Sequence, residues 1–333
     1  MNRQAHAHRP AALLAVLLAC PALMLSCATS AAPPAPPPRQ AAPPPAPPLP
    51  PPAPVSPFTG LPTDLAAPAL GVKIDNAPEA RPQSGLELAD LVYVEPVEGG
   101  LNRLLVVYQS QLPPVVGPIR SIRHSDLELL ACFGRPALAF SGEAPALRPL
   151  IEQAPVLDVS VLTRPGAYHR DVNRPMPHNL YADPHQLREG GAPPRDIGFR
   201  FGPTPPGGIP VPDTVVRYAA TEIGLQWLPT EARWVVAMDG VPLTAASGAR
   251  PGAATVVLQR VAVQDTGIRD AAGSPSPFAV TVGAGDAVVL RDGLAFSGHW
   301  SRPAPDQGTT FTLPGGAPLP FAPGPAWVVL VPA

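Results

Sequence analysis

Gly202-Pro203-Thr204-Pro205-Pro206-Gly207-Gly208 divides the chain into two stretches of different character. Such a cluster continues neither helix nor strand, because proline lacks the N–H that both ladders use and glycine loses the most backbone entropy on ordering. Before it, short apolar and β-branched runs alternate with helix patterns. Gly71-Val72-Lys73-Ile74-Asp75, Asp90-Leu91-Val92-Tyr93-Val94-Glu95 and Leu104-Leu105-Val106-Val107-Tyr108-Gln109 read as strands, and 136–140 and 156–161 as two more. Ser125-Asp126-Leu127-Glu128-Leu129-Leu130 reads as a helix with Ser125 at its N-cap, and 144–153 as a second short helix. This alternation predicts an α/β (or α+β) domain over residues 58–201. After the cluster every pattern is strand-like: 214–218, 224–228, 232–238, 254–263, 278–282, 287–291 and 326–331. Asp-Gly pairs between apolar runs, in Met238-Asp239-Gly240-Val241 and Arg291-Asp292-Gly293-Leu294, signal tight hairpins. Residues 209–333 are therefore predicted to form a mostly antiparallel β domain, separable from the first across an exposed linker.

Composition narrows the function classes. The 333 residues have room for two domains, and an apolar fraction of 45% can build their cores. A formal net charge of −2 and the lack of a basic stripe argue against nucleic acid as a partner. Lys73 is the only lysine, and arginine carries the rest of the positive charge. Of the three cysteines, Cys20 and Cys27 lie in the N-terminal apolar segment. Cys132 sits alone in Leu129-Leu130-Ala131-Cys132-Phe133, where it reads as a buried small hydrophobe.

The N-terminus reads as an address. Arg3 and Arg9 precede an apolar run that Pro21 interrupts, too short to span a membrane. The run ends at Met24-Leu25-Ser26-Cys27, which has the form of a lipobox with Cys27 as the lipid acceptor. Leu17-Leu18-Ala19-Cys20 has the same form, but Pro21 follows it and the apolar run before it is shorter, so Cys27 is the expected acceptor. Residues 1–27 are thus expected to be a lipoprotein signal peptide. Residues 28–57, mostly Pro and Ala, are expected to be a disordered tether with polyproline II preference.

Several long motifs resemble the YerB-like family of bacterial lipoproteins, a family of undefined function. They are Pro57-Phe58-Thr59-Gly60, Ile74-Asp75-Asn76-Ala77-Pro78-Glu79-Ala80-Arg81-Pro82-Gln83-Ser84-Gly85-Leu86, Glu98-Gly99-Gly100-Leu101-Asn102-Arg103, Gly117-Pro118-Ile119-Arg120-Ser121-Ile122-Arg123 and Pro177-His178-Asn179-Leu180-Tyr181. Ser297-Gly298-His299-Trp300-Ser301-Arg302 and Ala326-Trp327-Val328-Val329-Leu330-Val331-Pro332 continue the likeness in the second stretch, with Asn102 and His299 as small departures. The resemblance implies an anchored two-domain lipoprotein and carries no activity with it.

The polar residues of the first stretch gather in Gly/Pro-bounded segments at strand ends, where sites of open sheets collect. The candidate pocket comprises Asp75, Asn76, Arg81, Glu98, Arg120, Arg123, His169, Arg170, His178 and Asn179. Arg120 and Arg123 are three apart, so at a helix start they share a face and could fork onto a carboxylate or phosphate. Equally, they could pair with Asp75, Glu95 or Glu98 as a structural ion network. No His-Glu-x-x-His, Cys-x-x-Cys, phosphate loop, dinucleotide glycine fingerprint or Gly-x-Ser-x-Gly elbow occurs, so no metal, cofactor or catalytic residue is assigned. Trp327 reads as core, whereas Trp300, beside His299 and Arg302, is the candidate for an exposed contact.

The sequence therefore points to a non-catalytic binding or assembly module, anchored by lipid at the outer face of a bacterial membrane. Its partner would be an anionic wall component or an envelope protein. The alternative is an envelope hydrolase using His178 or His169 with Asp75 or Glu98. Mass spectrometry of the N-terminal peptide should find lipid-modified Cys27; an unmodified start beyond Ala28 would contradict the anchor.

Overall fold

The computed structural model describes residues 54–270 and 272–333. The signal peptide, Cys20, Cys27 and positions 28–53 of the Pro-rich segment lie outside the described residues. In the first half, Leu70–Ile74 (β1), Leu91–Pro96 (β2) and Asn102–Tyr108 (β3) form an antiparallel trio with β3 in the middle. Next comes the helix His124–Leu130 (α1), then Ala137–Ala139 (β4) parallel to β1. Arg148–Gln153 (α2) leads to Leu157–Asp158 (β5), parallel to β4. Tyr168–Arg170 (β6) and Leu180–Ala182 (β7) make a separate hairpin before Pro184–Arg188 (α3).

The second half opens with Ile209–Pro210 (β8). Asp213–Arg217 (β9), Glu222–Leu228 (β10), Arg233–Met238 (β11), Val241–Pro242 (β12) and Gly252–Ala253 (β13) then form a small antiparallel sheet. Thr255–Val261 (β14) follows, and Val263–Arg269 (β15) with Pro275–Ala279 (β16) makes a second isolated hairpin. Gly283–Arg291 (β17), Leu294–Arg302 (β18), Thr310–Thr312 (β19) and Ala326–Pro332 (β20) complete the chain. Both Asp-Gly turns are the expected hairpins: Asp239 and Gly240 have φ 54° and 76°, Asp292 and Gly293 φ 52° and 73°.

One 11-stranded sheet takes strands from both halves, in the order β19-β18-β17-β14-β20-β2-β3-β1-β4-β5, with β8 beside β18. Its centre is β20, parallel to β14 on one edge and to β2 on the other. Ala-Trp-Val-Val-Leu-Val is apolar at every position, the pattern of a strand covered on both faces. Trp327 and Val329 face a core shared with Trp234, Val236 and Met238 of the small sheet. Val328 and Leu330 face the opposite core with Leu127, Leu130, Phe133 and Phe321.

The segment 202–208 holds neither helix nor strand, as expected. The halves it separates are nonetheless welded, and Pro52–Ala333 is a single compact unit, not two lobes on a linker. Among the described residues α-helix is confined to α1, α2 and α3, of 7, 6 and 5 residues, so the described part is mostly strand. Two local expectations are corrected. Arg123 is the N-cap of α1, its backbone N–H donating to Asp126 Oδ2 at 2.6 Å, while Ser125 Oγ accepts from Ala279 N at 2.9 Å. Trp300 is 3% exposed, with Nε1 donating to Arg260 O at 2.8 Å, because β18 turns it into the core.

Trp327 is 1% exposed and touches a core fed by both halves. Trp327→Ala should cost about 3–5 kcal/mol. Denaturant unfolding followed by circular dichroism should show one transition in wild type and variant, moved to lower midpoint in the variant. Two transitions in wild type would restore separable lobes.

Candidate functional site

Four loops converge where β1 and β2 end and β3 begins. The β2–β3 turn is Glu98-Gly99-Gly100, which reverses the chain through φ values of 71° and 72° at the two glycines. Asp75 follows β1, and its backbone N–H donates to Pro118 O at 2.9 Å. The 117–123 segment runs back along β1, with Arg120 N donating to Lys73 O at 2.9 Å. It is pinned on its other side by Ile119 N to Leu180 O at 2.7 Å. A Cβ on Gly117 would come within 2.8 Å of Leu180 O, so only glycine allows this approach. That contact places the Pro177-His178 loop beside Asp75.

The resulting geometry is specific. Asp75 Oδ2 accepts from Arg120 Nη1 at 2.9 Å and lies 2.7 Å from His178 Nδ1. Arg123 forks onto Glu98, Nε and Nη2 donating to the two carboxylate oxygens at 2.6 Å each. Burial pushes the Glu98 carboxyl up, but hydrogen bonds from Arg123 and Ser276 outweigh it and the net shift is down. Arg120 and Arg123 thus both have carboxylate partners. Arg103, at the start of β3, has none among the described residues; its Nη1 donates only to Ser121 O at 3.2 Å. Burial, then the nearby charges of Arg123 and Arg120, lower the Arg103 guanidinium to about 10.

These side chains line two adjoining clefts of about 260 Å³ and about 150 Å³, which share Glu98, Arg103, Arg120 and Asp270. Asp75 and His178 line the larger one, Arg123 the smaller. Asp270 and Ser274 come from the second half, at the tip of the β15–β16 hairpin. Phe278 in that hairpin stacks on His124 of α1 at 4.4 Å between ring centroids, which fixes its base. A groove of about 490 Å³ lies elsewhere, with an apolar floor and Arg217, Arg260, Asp286 and His299 as exposed rim groups.

Five of the ten expected residues line the clefts: Asp75, Glu98, Arg120, Arg123 and His178. The other five do not. Asn76 is buried, with its amide on Asn102 and on Met238 Sδ at 3.4 Å. Arg81 ties Asn76 O at 2.7 Å to Asp239 at 2.8 Å, so both residues join the halves. Arg170 donates to Asn179 Oδ1 at 2.7 Å inside the β6–β7 hairpin, and exposed His169 sits beside Tyr181 there. Arg103 was visible in the sequence only as one more polar residue at a strand end. Asp270 and Ser274 carried no signal, since nothing local says where a hairpin tip will reach. Among the described residues no three His, Cys, Asp or Glu side chains are grouped to hold a metal ion.

Beneath the clefts, Lys73 Nζ lies 2.9 Å from Glu95 and 2.8 Å from Asp126, all three fully buried. One cation faces two carboxyls. Burial, reinforced by the charge of Asp126 and opposed by Lys73, pushes Glu95 up to about 8. A proton on Glu95 therefore balances the set.

The family described as "Protein of unknown function (DUF3048) N-terminal domain" matches residues 58–197, and its C-terminal domain matches residues 214–328. The chain belongs to this two-part family. It is 34% identical over 131 residues to "Putative lipoprotein YerB" of Bacillus subtilis (strain 168), a match spanning 38% of this chain and 39% of that protein. The crystal structure of YerB from Bacillus subtilis superposes with a TM-score of 0.70 at 23% identity, over 84% of this chain and 97% of that one. The likeness to the crystal structure establishes the fold. The split between the two family domains falls at the Gly/Pro cluster, although one sheet crosses it.

Because the folded state holds a proton on Glu95 that the unfolded chain releases above its ordinary value of 4.5, this group's stabilisation fades as pH rises from there through about 8. Glu95→Gln should flatten that fall. Denaturant midpoints measured between about pH 5 and about pH 8 should decline less in the variant than in wild type; parallel profiles would contradict a protonated Glu95.

Proposed function

We propose that this chain is a lipid-anchored envelope protein whose Arg103-centred cleft binds an anionic, oxygen-rich ligand, with no chemistry done on it. The lipobox at Cys27 and the designation of the YerB relative as a lipoprotein support the anchor. No helix of the described residues is long and apolar enough to cross a membrane. The outer face follows from export through a signal peptide, and the ligand there would be an anionic wall component or an acidic group of an envelope partner.

The observation that carries the binding reading is the state of Arg103. Two of three clustered guanidiniums are neutralised by carboxylates; the third makes no ion pair among the described residues and is crowded by the other two. Glu98 and Asp75 offset this only in part, and a half-buried cation without an ion pair costs stability unless something anionic reaches it. An oxyanion in the cleft would receive charge-assisted hydrogen bonds from the free edge of the fork.

A hydrolase is favoured by one contact, the 2.7 Å approach of His178 Nδ1 to Asp75 Oδ2, which orients the ring as a base would be oriented. Against it, Arg120 occupies the same carboxylate oxygen, and among the described residues no hydroxyl or thiol is hydrogen-bonded to His178. The trio reads better as a rigid wall.

Calorimetric titration with inorganic phosphate tests the binding reading. Arg103→Ala should weaken binding by about tenfold or more, for the loss of a charged hydrogen bond worth roughly 1.5–3 kcal/mol. Arg103→Lys should recover only part, since it restores charge without the fork. Stability should hold or rise in Arg103→Ala. A large loss of stability with no anion bound would leave a purely structural arginine cluster.

A further inference from the structure

A site built only to hold an inorganic anion would not place a carboxylate at its mouth. Asp270 lines both clefts together with Arg103 and Arg120. Its Oδ1 accepts from Ala272 N at 2.9 Å and Ser274 N at 2.8 Å, which fixes the hairpin tip, and Oδ2 has no donor among the described residues. Asn102 also lines the larger cleft, but its side chain is 3% exposed and turned to the Asn76 amide in the seam between the halves, so it does not reach a ligand. The cleft therefore offers two unspent polar functions: a cationic fork and an anionic acceptor. No Phe, Tyr or Trp lines either cleft, so a ligand gains nothing from stacking a ring.

A bare anion satisfies the fork but meets repulsion from Asp270. A molecule that carries hydroxyls a few bonds from its anionic group satisfies both, because a hydroxyl donates to the carboxylate while the anion stays on Arg103. A phosphate suits a planar fork that approaches from one side, since two of its oxygens take the fork. We propose that the ligand is a phosphate ester of a polyol, its phosphate held by Arg103 and a hydroxyl donating to Asp270 Oδ2. This rests on the anion-binding reading and names its ligand class.

Titration of the purified full chain with glycerol 3-phosphate, inorganic phosphate and glucuronate tests it. Glycerol 3-phosphate should bind about tenfold tighter than inorganic phosphate, the worth of one hydrogen bond to a charged group. Asp270→Asn keeps the Oδ1 turn but puts a donor where Oδ2 was. In that variant the preference should vanish while inorganic phosphate binds as well or better. Equal affinity of the two phosphates in wild type, or a preference that survives Asp270→Asn, would overturn the proposal. Glucuronate binding as tightly as glycerol 3-phosphate would overturn the choice of phosphate. If none of the three binds, the anion-binding reading fails with it, an outcome distinct from binding without preference.

Discussion

The parallel pairing of β20 between β2 and β14 is the constraint on which the molecule depends. Leu91 and Thr255, one from each half, both sit opposite Ala326, so the last strand locks two sets of strands into one register. Parallel pairing of distant segments is slow to find and pays loop-closure entropy before it is rewarded. Here the reward is large, because every residue from Ala326 to Leu330 is buried and each face closes a separate core. Once the register is set, the β15–β16 hairpin has only one place to lie, against α1, and its tip then reaches the arginine cluster of the other half. The site exists because the halves are welded.

Charge is distributed around that weld in a graded way. The only lysine is fully buried with two carboxyls, an arrangement that rarely adds stability against an apolar alternative but strongly penalises any state that separates its members. Since Lys73 lies on β1, Glu95 on β2 and Asp126 on α1, the trio fixes how these elements meet. One layer outward, Asp75 with Arg120 and Glu98 with Arg123 each join a buried and a half-buried side chain and repeat the same logic. At the next step Arg103 and Asp270, which line the clefts, make no ion pair among the described residues.

Most strands were legible because their apolar and β-branched runs are bounded by glycine and proline, and the Asp-Gly turns because φ above zero is cheap only for such residues. Trp327 was legible as core from its apolar neighbours. Trp300 was not, since His299 and Arg302 lie close to it; in β18 His299 points to the other face, while Arg302 is buried on the same face as Trp300, its Nη2 donating to Glu128 O at 2.7 Å. The weld itself was illegible for a general reason: periodicity tells which residues form strands but not which strands pair. The candidate site was half legible for the same reason. Asp75, Glu98, Arg120, Arg123 and His178 sit at ends of elements that adjoin within the first half, whereas Asp270 arrives from a hairpin of the second half, far away in sequence.

The contrast between Arg103 and its two neighbours separates support from function within one cluster. Arg120 shares an Asp75 oxygen with His178, and Arg123 spends both arms of its fork on Glu98, so neither can turn to a ligand without abandoning a charge in a half-buried place. Their role is to hold the loops that frame the cleft and to raise the positive potential inside it. Arg103 receives that potential offset only in part by Glu98 and Asp75, which other arginines hold, and it makes no ion pair of its own among the described residues. A half-buried guanidinium short of partners and beside a fixed acceptor on a hairpin tip is pre-organised: less side-chain entropy remains to be lost when an anion arrives. In the proposed binding role the surrounding ion pairs would serve recognition through Arg103, by leaving it the one fork of the cluster, among the described residues, that an anion could complete.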